Sequence, residues 1–225
     1  DVDIQDIMFN GPEQSLKQTQ YTQPALYIVA VTIGLLLMEK GIKPTSVAGH
    51  SLGEYSAYTL AGSFDFETGL KIVKVRANSM QNAGEDQPGT MAAIIGLDDE
   101  TVMNITDNIS GTVVVANFNS PGQVVISGAS EAVNSAMTSA KESGARMVIP
   151  LNVSGAFHSP LMSSAREHFA EMIDSIEISN SMIPVYSNVS AAPVTRAAEI
   201  REAMINQLET PVLWSQTISN MAAAV

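Results

Sequence analysis

Hydrophobic residues change their spacing several times along this chain, and each change marks an element. From Ala25 to Met38 nearly every position is apolar. Pro24, a favoured first-turn residue, predicts a helix starting near it, and Gly41 predicts the stop. Apolarity on nearly every side predicts that this helix is buried within a layered fold. "PTSVAGHS" then reads as a short buried strand entering a tight turn, and "LGEYSAYTLAG" as a helix. A further helix covers about residues 65–81 and is closed by Gly84.

After that helix the period changes. "TMAAIIG" reads as a strand, "DDETVMNITDNI" as a helix and "TVVVANFN" as a strand. A Pro121-Gly122 turn follows, then "QVVISG" as a strand, "SEAVNSAMTSAKESG" as a helix stopped by Gly144, and "RMVIPL" as a strand. This order, βαββαβ within about residues 87–152, is the ferredoxin-like arrangement. It predicts a small domain inserted into a larger α/β one made of residues 1–86 and 153–225. Beyond it lie "SGAFHSP", a helix opened by Ser159 and Pro160, a strand around "IPVYSNV", a helix over about residues 197–207, and a last helix carrying Trp214.

Composition removes several classes of function. A chain of 225 residues suits one large domain carrying a small one. Its net charge of −12 argues against nucleic acid and against anionic membranes. The run Ala25 to Met38 is too short to span a bilayer, so no membrane association is expected. There is no recognisable signal peptide and no cysteine, and none of the three histidines stands at i, i+4 from another. No metal and no cofactor are expected, and cytoplasm is the default location. The opening "DVDIQDIMFNGPEQS" has neither a methionine start nor a strand-like segment, and reads as the start of a fragment.

The chemistry concentrates on a few residues. One Gly-x-Ser-x-Gly occurs, at Gly49, Ser51 and Gly53, between a predicted strand and a predicted helix. That is the context of a nucleophile elbow, where glycines allow the sharp turn and the serine is held exposed. The helix N-terminus then offers backbone N–H groups to an oxyanion, with Leu52 the natural donor. A serine hydroxyl needs a base. His50 adjoins the nucleophile in the turn and cannot easily face it. His168 lies mid-helix beside a stripe of Leu161, Ala165 and Met172, as a border residue of a core face. His158 sits in a loop just before a helix and is the base by elimination. No acid between Ser51 and His158 is an obvious orienter for it, so a dyad held by a backbone carbonyl is an option.

Arg76 is flanked at i±3 and i±4 by Ile72, Val73, Ser79 and Met80, with no acid among them. An arginine on an apolar flank without a counter-charge either snorkels to water or awaits an anion. A guanidinium suits a carboxylate, which it can grip with two N–H groups.

Five motifs in order, "GHSLGEYSA" with "VRANSMQ" after it, "VANFNSPGQVVISG", "VSGAFHSPLM" and "QLETPVLW", resemble the malonyl-CoA:acyl carrier protein transacylases and the acyltransferase domains of fatty acid and polyketide synthases. The resemblance runs from about Tyr21 to Trp214. It implies an α/β-hydrolase-like core with a parallel sheet and an inserted ferredoxin-like subdomain. By resemblance, Ser51 carries the acyl group, His158 is the acid/base, and Arg76 clamps the free carboxylate of malonate. Gln23 in "YTQPAL" matches an active-site glutamine, Gln207 the residue whose backbone carbonyl orients the histidine, and Asn119 a substrate-side asparagine. The implied partners are malonyl-CoA and acyl carrier protein. The family's opening Gly-Gln-Gly-Ser-Gln strand and closing Gly-Pro-Gly segment do not occur in this sequence, so both terminal segments are expected to be absent. "GAFHS" resembles malonyl-selecting relatives, with Phe157 limiting space at the α-carbon. Two other readings stand beside acyl transfer: a serine hydrolase or thioesterase that releases to water, and a non-catalytic module that holds the carrier protein.

Overall fold

A computed structural model describes residues 3–224. Helices α1 (Ile4–Asn10) and α2 (Glu13–Leu16) open it, α1 capped by the Asp3 carboxylate, which accepts from the N–H groups of Gln5 and Asp6. Helix α3 (Thr19–Glu39) begins upstream of Pro24, not near it. Its first turn is anchored by Tyr21 and Thr22, whose N–H groups donate to the Gln18 carbonyl, so the bond that Pro24 cannot make is lost inside an established helix.

The expectation that α3 is buried is also corrected. Tyr27 and Val31 are fully buried, but Leu26, Val29, Ile33, Leu36 and Leu37 stand about half exposed. The helix packs mainly on two neighbours, α4 (Leu52–Leu60) and α5 (Phe66–Asp86), and an all-round apolar sequence does not say which face they take. At 21 residues α3 also has the length and hydropathy of a membrane-crossing helix, which corrects the argument from the shorter apolar run. Its buried face and Gln23, described below, tie it to the rest of the molecule.

Between α3 and α4 lies β1 (Val47–Ala48). Helix α5 is capped by Asp65, whose carboxylate accepts from Thr68 N–H at 2.7 Å. It runs past Gly84 to Asp86. Gly84 is a close approach rather than a stop: a Cβ there would sit 2.5 Å from the Ser154 carbonyl oxygen. The helix thereby supports the segment that leads to His158.

Four strands follow with two helices: β2 (Gly89–Ile95), α6 (Asp99–Asp107), β3 (Val113–Ser120), β4 (Gln123–Ala129), α7 (Ser130–Glu142) and β5 (Met147–Pro150). They form one antiparallel sheet in the order β3-β4-β2-β5. Both helices cover one face, where Ala92, Ile94, Val102, Ile126, Val133 and Ala136 form a core of their own. On the other face Met91, Ala93, Ala116 and Val125 meet Leu151 and Phe157, next to His158. The β3 edge is held by the segment around Val212, through Phe118 N–H to Val212 O at 2.9 Å and Val212 N–H to Ala116 O at 2.8 Å.

A 3-10 turn at Pro160–Met162 leads into α8 (Ser163–Asp174). Its buried stripe is Ala165, Phe169 and Ile173, while His168 and Met172 are exposed, so His168 does not border the core. Ala165 belongs to the expected and the observed stripe alike, and the helix turns Phe169 and Ile173 inward in place of Met172. β6 (Val185–Tyr186), β7 (Pro193–Val194), α9 (Ala197–Asn206) and α10 (Trp214–Ala223) complete the order. The second sheet, β1-β6-β7, pairs β1 with β6 in parallel and β6 with β7 antiparallel. Among the described residues the parallel strand ladder of this sheet is the β1·β6 pair, and a tight turn at residues 187–192 returns the chain as antiparallel β7. The architecture is α/β with mixed sheets. Its larger core gathers Tyr27, Tyr55, Tyr58, Ile72, Phe169 and Ile200 from α3, α4, α5, α8 and α9 around β1 and β6.

Candidate active site

The turn after β1 is built by close approach. A Cβ on Gly49 would sit 1.9 Å from the Gly53 carbonyl carbon, so no side chain fits there. Gly53 has open space at its own Cβ position, so the steric demand rests on Gly49. Ser51, next in line, has φ +49° and ψ −106°, a conformation that costs energy in a non-glycine residue. Asn188 holds this strained turn from outside. Its side-chain amide donates to Gly49 O at 2.8 Å and accepts from Ser51 N–H at 2.6 Å. Leu52 begins α4, its side chain buried, and its N–H has no hydrogen-bond partner among the described residues. That N–H is free for an oxygen that gains negative charge.

Ser51 Oγ lies 2.8 Å from His158 Nε2. His158 Nδ1 lies 2.8 Å from the Gln207 backbone oxygen, which can only accept. Nδ1 therefore carries the proton, Nε2 is the acceptor, and the Ser51 hydroxyl donates to it. His158 also has a positive φ, +58°, so both members of the pair stand in strained backbone. Burial, then the positive charge of Arg76, hold the imidazole pKa down to about 3. The neutral ring is the form that can take a proton from serine. In NMR, the His158 ring signal, assigned by its loss in His158→Gln, is expected to keep the neutral shift from about pH 8 to about pH 5. A midpoint near 6.5, the ordinary value, would contradict this. The shift also carries a sign for stability. The unfolded chain binds a proton that the folded site refuses, so this residue's contribution falls as pH drops from about 6.5 towards 3.

Arg76 neither snorkels nor reaches the surface; it is 1% exposed. NH1 donates to Gln23 Oε1 at 2.7 Å, and NH2 donates to Ser51 Oγ at 3.0 Å and to Gln207 Oε1 at 3.0 Å. The guanidinium carbon stands 5.1 Å from the Tyr55 ring centre. No carboxylate forms an ion pair with Arg76 among the described residues. Removing a guanidinium from water costs on the order of several kcal/mol unless charge and hydrogen bonds offset it. Neutral oxygens do most of the offsetting here, which leaves much of the charge unspent at the serine.

The structure thus brings together Ser51, His158, Arg76, Gln23 and Gln207, from α3, the turn before α4, α5 and the loops before α8 and after α9. Asn119 is not in that cluster. Its Oδ1 meets His50 Nε2 at 2.8 Å, at the end of β3, and the His50 ring leans on Trp214 with centroids 5.5 Å apart. Two site residues escaped the sequence reading. One is Asn188, just described. The other is Glu54, fully buried, whose carboxylate accepts from Tyr58 O–H at 2.6 Å, Asn188 N–H at 3.1 Å and Gln207 Nε2 at 2.6 Å. A signal for Glu54 existed: it shares the first turns of α4 with Leu52, Tyr55 and Tyr58, where an acid pointing into an apolar face needs partners. Asn188 carries no such signal, since Asn after a short strand is ordinary turn chemistry.

The acyl transferase domain family matches residues 1–225. The chain belongs to that family. It is 41% identical over 223 residues to the malonyl CoA-acyl carrier protein transacylase of Bacillus subtilis strain 168, covering 98% of this chain and 70% of that protein. The Haemophilus influenzae protein of the same name is 44% identical over 224 residues, 98% of this chain and 72% of its own. Among solved structures, the malonyl CoA-acyl carrier protein transacylase of Coxiella burnetii superposes with a TM-score of 0.96 at 41% identity, over 99% of this chain and 71% of that one. A malonyl-transacylase in complex with a type II polyketide synthase acyl-carrier protein superposes with a TM-score of 0.95 at 39% identity, over 99% and 73%.

Proposed function

We propose that this acyltransferase moves a malonyl group from malonyl-CoA to the phosphopantetheine thiol of acyl carrier protein, supplying extender units for fatty acid or polyketide synthesis. The observation that carries the reading is the Ser51–His158–Gln207 chain of hydrogen bonds with Arg76 buried beside the same hydroxyl. Ser51 Oγ attacks the thioester carbonyl carbon, and its proton passes to His158 Nε2. The carbonyl oxygen, now negative, is met by the Leu52 N–H. When the C–S bond breaks, the CoA sulfur takes the proton back from His158. The carrier thiol then reverses these steps and leaves Ser51 free. Arg76, with Gln23 and Gln207 fixing two of its N–H groups, faces the acyl chain's far carboxylate. Asn119, joined to His50 at the end of β3, would lie on the substrate side, as the family resemblance implies.

Residues 87–152 would form a ferredoxin-like subdomain inserted into a hydrolase-like core made of residues 1–86 and 153–225. The antiparallel order β3-β4-β2-β5, with both helices on one face, supports this, as does the parallel β1·β6 pair that leads into the Ser51 turn. A cytoplasmic place for the enzyme agrees with α3 serving as a packed element through Gln23, Tyr27 and Val31.

A serine hydrolase would share the elbow, so the deciding experiment is a partition. The acyl-enzyme formed with malonyl-CoA is mixed with holo acyl carrier protein, and malonyl-carrier and free malonate are both measured. Malonyl-carrier is expected to form faster than malonate by at least about tenfold. Malonate released at one rate with and without carrier would identify a hydrolase.

A further inference from the structure

Arg76 is a fully buried cation with no ion pair, and its Nε is without a partner among the described residues. Glu54 is a fully buried carboxylate on the neighbouring helix, also without an ion pair. Between them stands one neutral group. The Gln207 side-chain amide accepts from Arg76 NH2 at 3.0 Å through Oε1 and donates to Glu54 Oε2 at 2.6 Å through Nε2. Reversing that amide would put N–H against N–H at one end and oxygen against carboxylate at the other, so both charges fix its orientation.

We propose that Glu54 is the resting counter-charge of Arg76, held one amide away, and so a positioning residue that sets selectivity between acyl groups with and without a carboxylate. The proposal rests on the malonyl-transfer reading above. A direct Glu54–Arg76 pair would use up the guanidinium, and an entering carboxylate would have to break it. At one remove, Glu54 still offsets the cost of burying the cation but leaves NH2 directed at Ser51 Oγ. Its negative charge also repels an incoming carboxylate, so it tempers the grip of Arg76. Burial pushes the Glu54 carboxyl above its usual range, and the donors Tyr58, Gln207 and Asn188 and the charge of Arg76 act against that rise. The same carboxylate holds the Asn188 N–H, and Asn188 holds the Ser51 turn, so geometry and charge must be separated in any test.

Glu54→Gln keeps the shape and can keep the bonds to Asn188 and Gln207, but it removes the charge. The readout is kcat and KM for acylation by malonyl-CoA and by acetyl-CoA, on protein whose melting curve shows it folded. The expected result is a KM for malonyl-CoA lowered about tenfold with the KM for acetyl-CoA unchanged, because only the first carries an anion towards Arg76. Glu54→Asp, which keeps the charge, is expected to hold the wild-type ratio of the two KM values. Tyr58→Phe removes only the O–H donor to Oε1, favours the neutral acid, and should move the ratio in the same direction by a smaller factor. It keeps the test open if Glu54→Gln does not fold. A proportional change for both substrates, or the same ratio change in Glu54→Asp as in Glu54→Gln, would mean a purely structural residue and overturn the proposal. An unmoved ratio in folded Glu54→Gln overturns it as well. Wild-type protein that transfers no malonyl at all would overturn the functional reading and the proposal together, whereas wild-type transfer with an unmoved ratio removes the proposal alone.

Discussion

Arg76→Ala is expected to lower kcat/KM for malonyl-CoA by about one to two powers of ten more than for acetyl-CoA. The size comes from one charge-assisted contact to the acyl carboxylate, on the order of 1.5–3 kcal/mol. Both substrates lose something, because Arg76 NH2 also donates to Ser51 Oγ and the variant leaves Gln23 Oε1 and Gln207 Oε1 without their donor. The decisive quantity is therefore the ratio between the two substrates. Arg76→Lys should recover part of the malonyl rate, since an ammonium restores the charge but cannot reach Gln23, Ser51 and Gln207 with one planar fork. Equal losses for both substrates would make Arg76 a structural residue. The direction is opposite to that expected for Glu54→Gln, so the pair brackets the charge at the site.

The larger effect belongs to Ser51. Ser51→Ala is expected to reduce malonyl transfer on the order of 10⁴-fold or more, down to the background of a thioester in solution. Stability should hardly change. Among the described residues the hydroxyl bonds His158 and Arg76, while the strained turn is held through backbone groups by Asn188, by Gln207 and by the Gly49–Gly53 contact. Melting curves of the variant and the parent should therefore overlay, and transfer assayed with purified carrier protein gives the rate. Substantial residual transfer in a folded variant would mean that another group carries the acyl chain.

How far the sequence exposes this site depends on which contacts are local. The strand, turn and helix around Ser51 are written in adjacent residues, with Gly49 excluded from bearing a side chain by a residue four positions away. The elements of the antiparallel sheet are equally legible, because β2, β3 and β4 are short apolar runs bounded by turn residues and the helices between them change the period. His158 could be singled out by its loop position, but its orientation by the Gln207 carbonyl came from resemblance rather than from pattern. The Asn188 clamp joins residues 137 apart, and the Glu54–Gln207 bond residues 153 apart. No spacing rule reaches so far. α3 failed for another reason: apolar on every side, it carries no information about which side is packed. Gly84 misled because a glycine needed for close approach reads like a glycine that ends a helix.

In the proposed reaction a malonyl ester on Ser51 is removed by a carrier thiol rather than by water. Wild-type protein is incubated with malonyl-CoA, its intact mass is read, the modified peptide is sequenced, and holo acyl carrier protein is then added. The expected result is a gain of one malonyl group on the peptide containing Ser51, stable without carrier and lost to the carrier when it is added. A malonyl group on any other residue, or no covalent adduct while transfer proceeds, would contradict it.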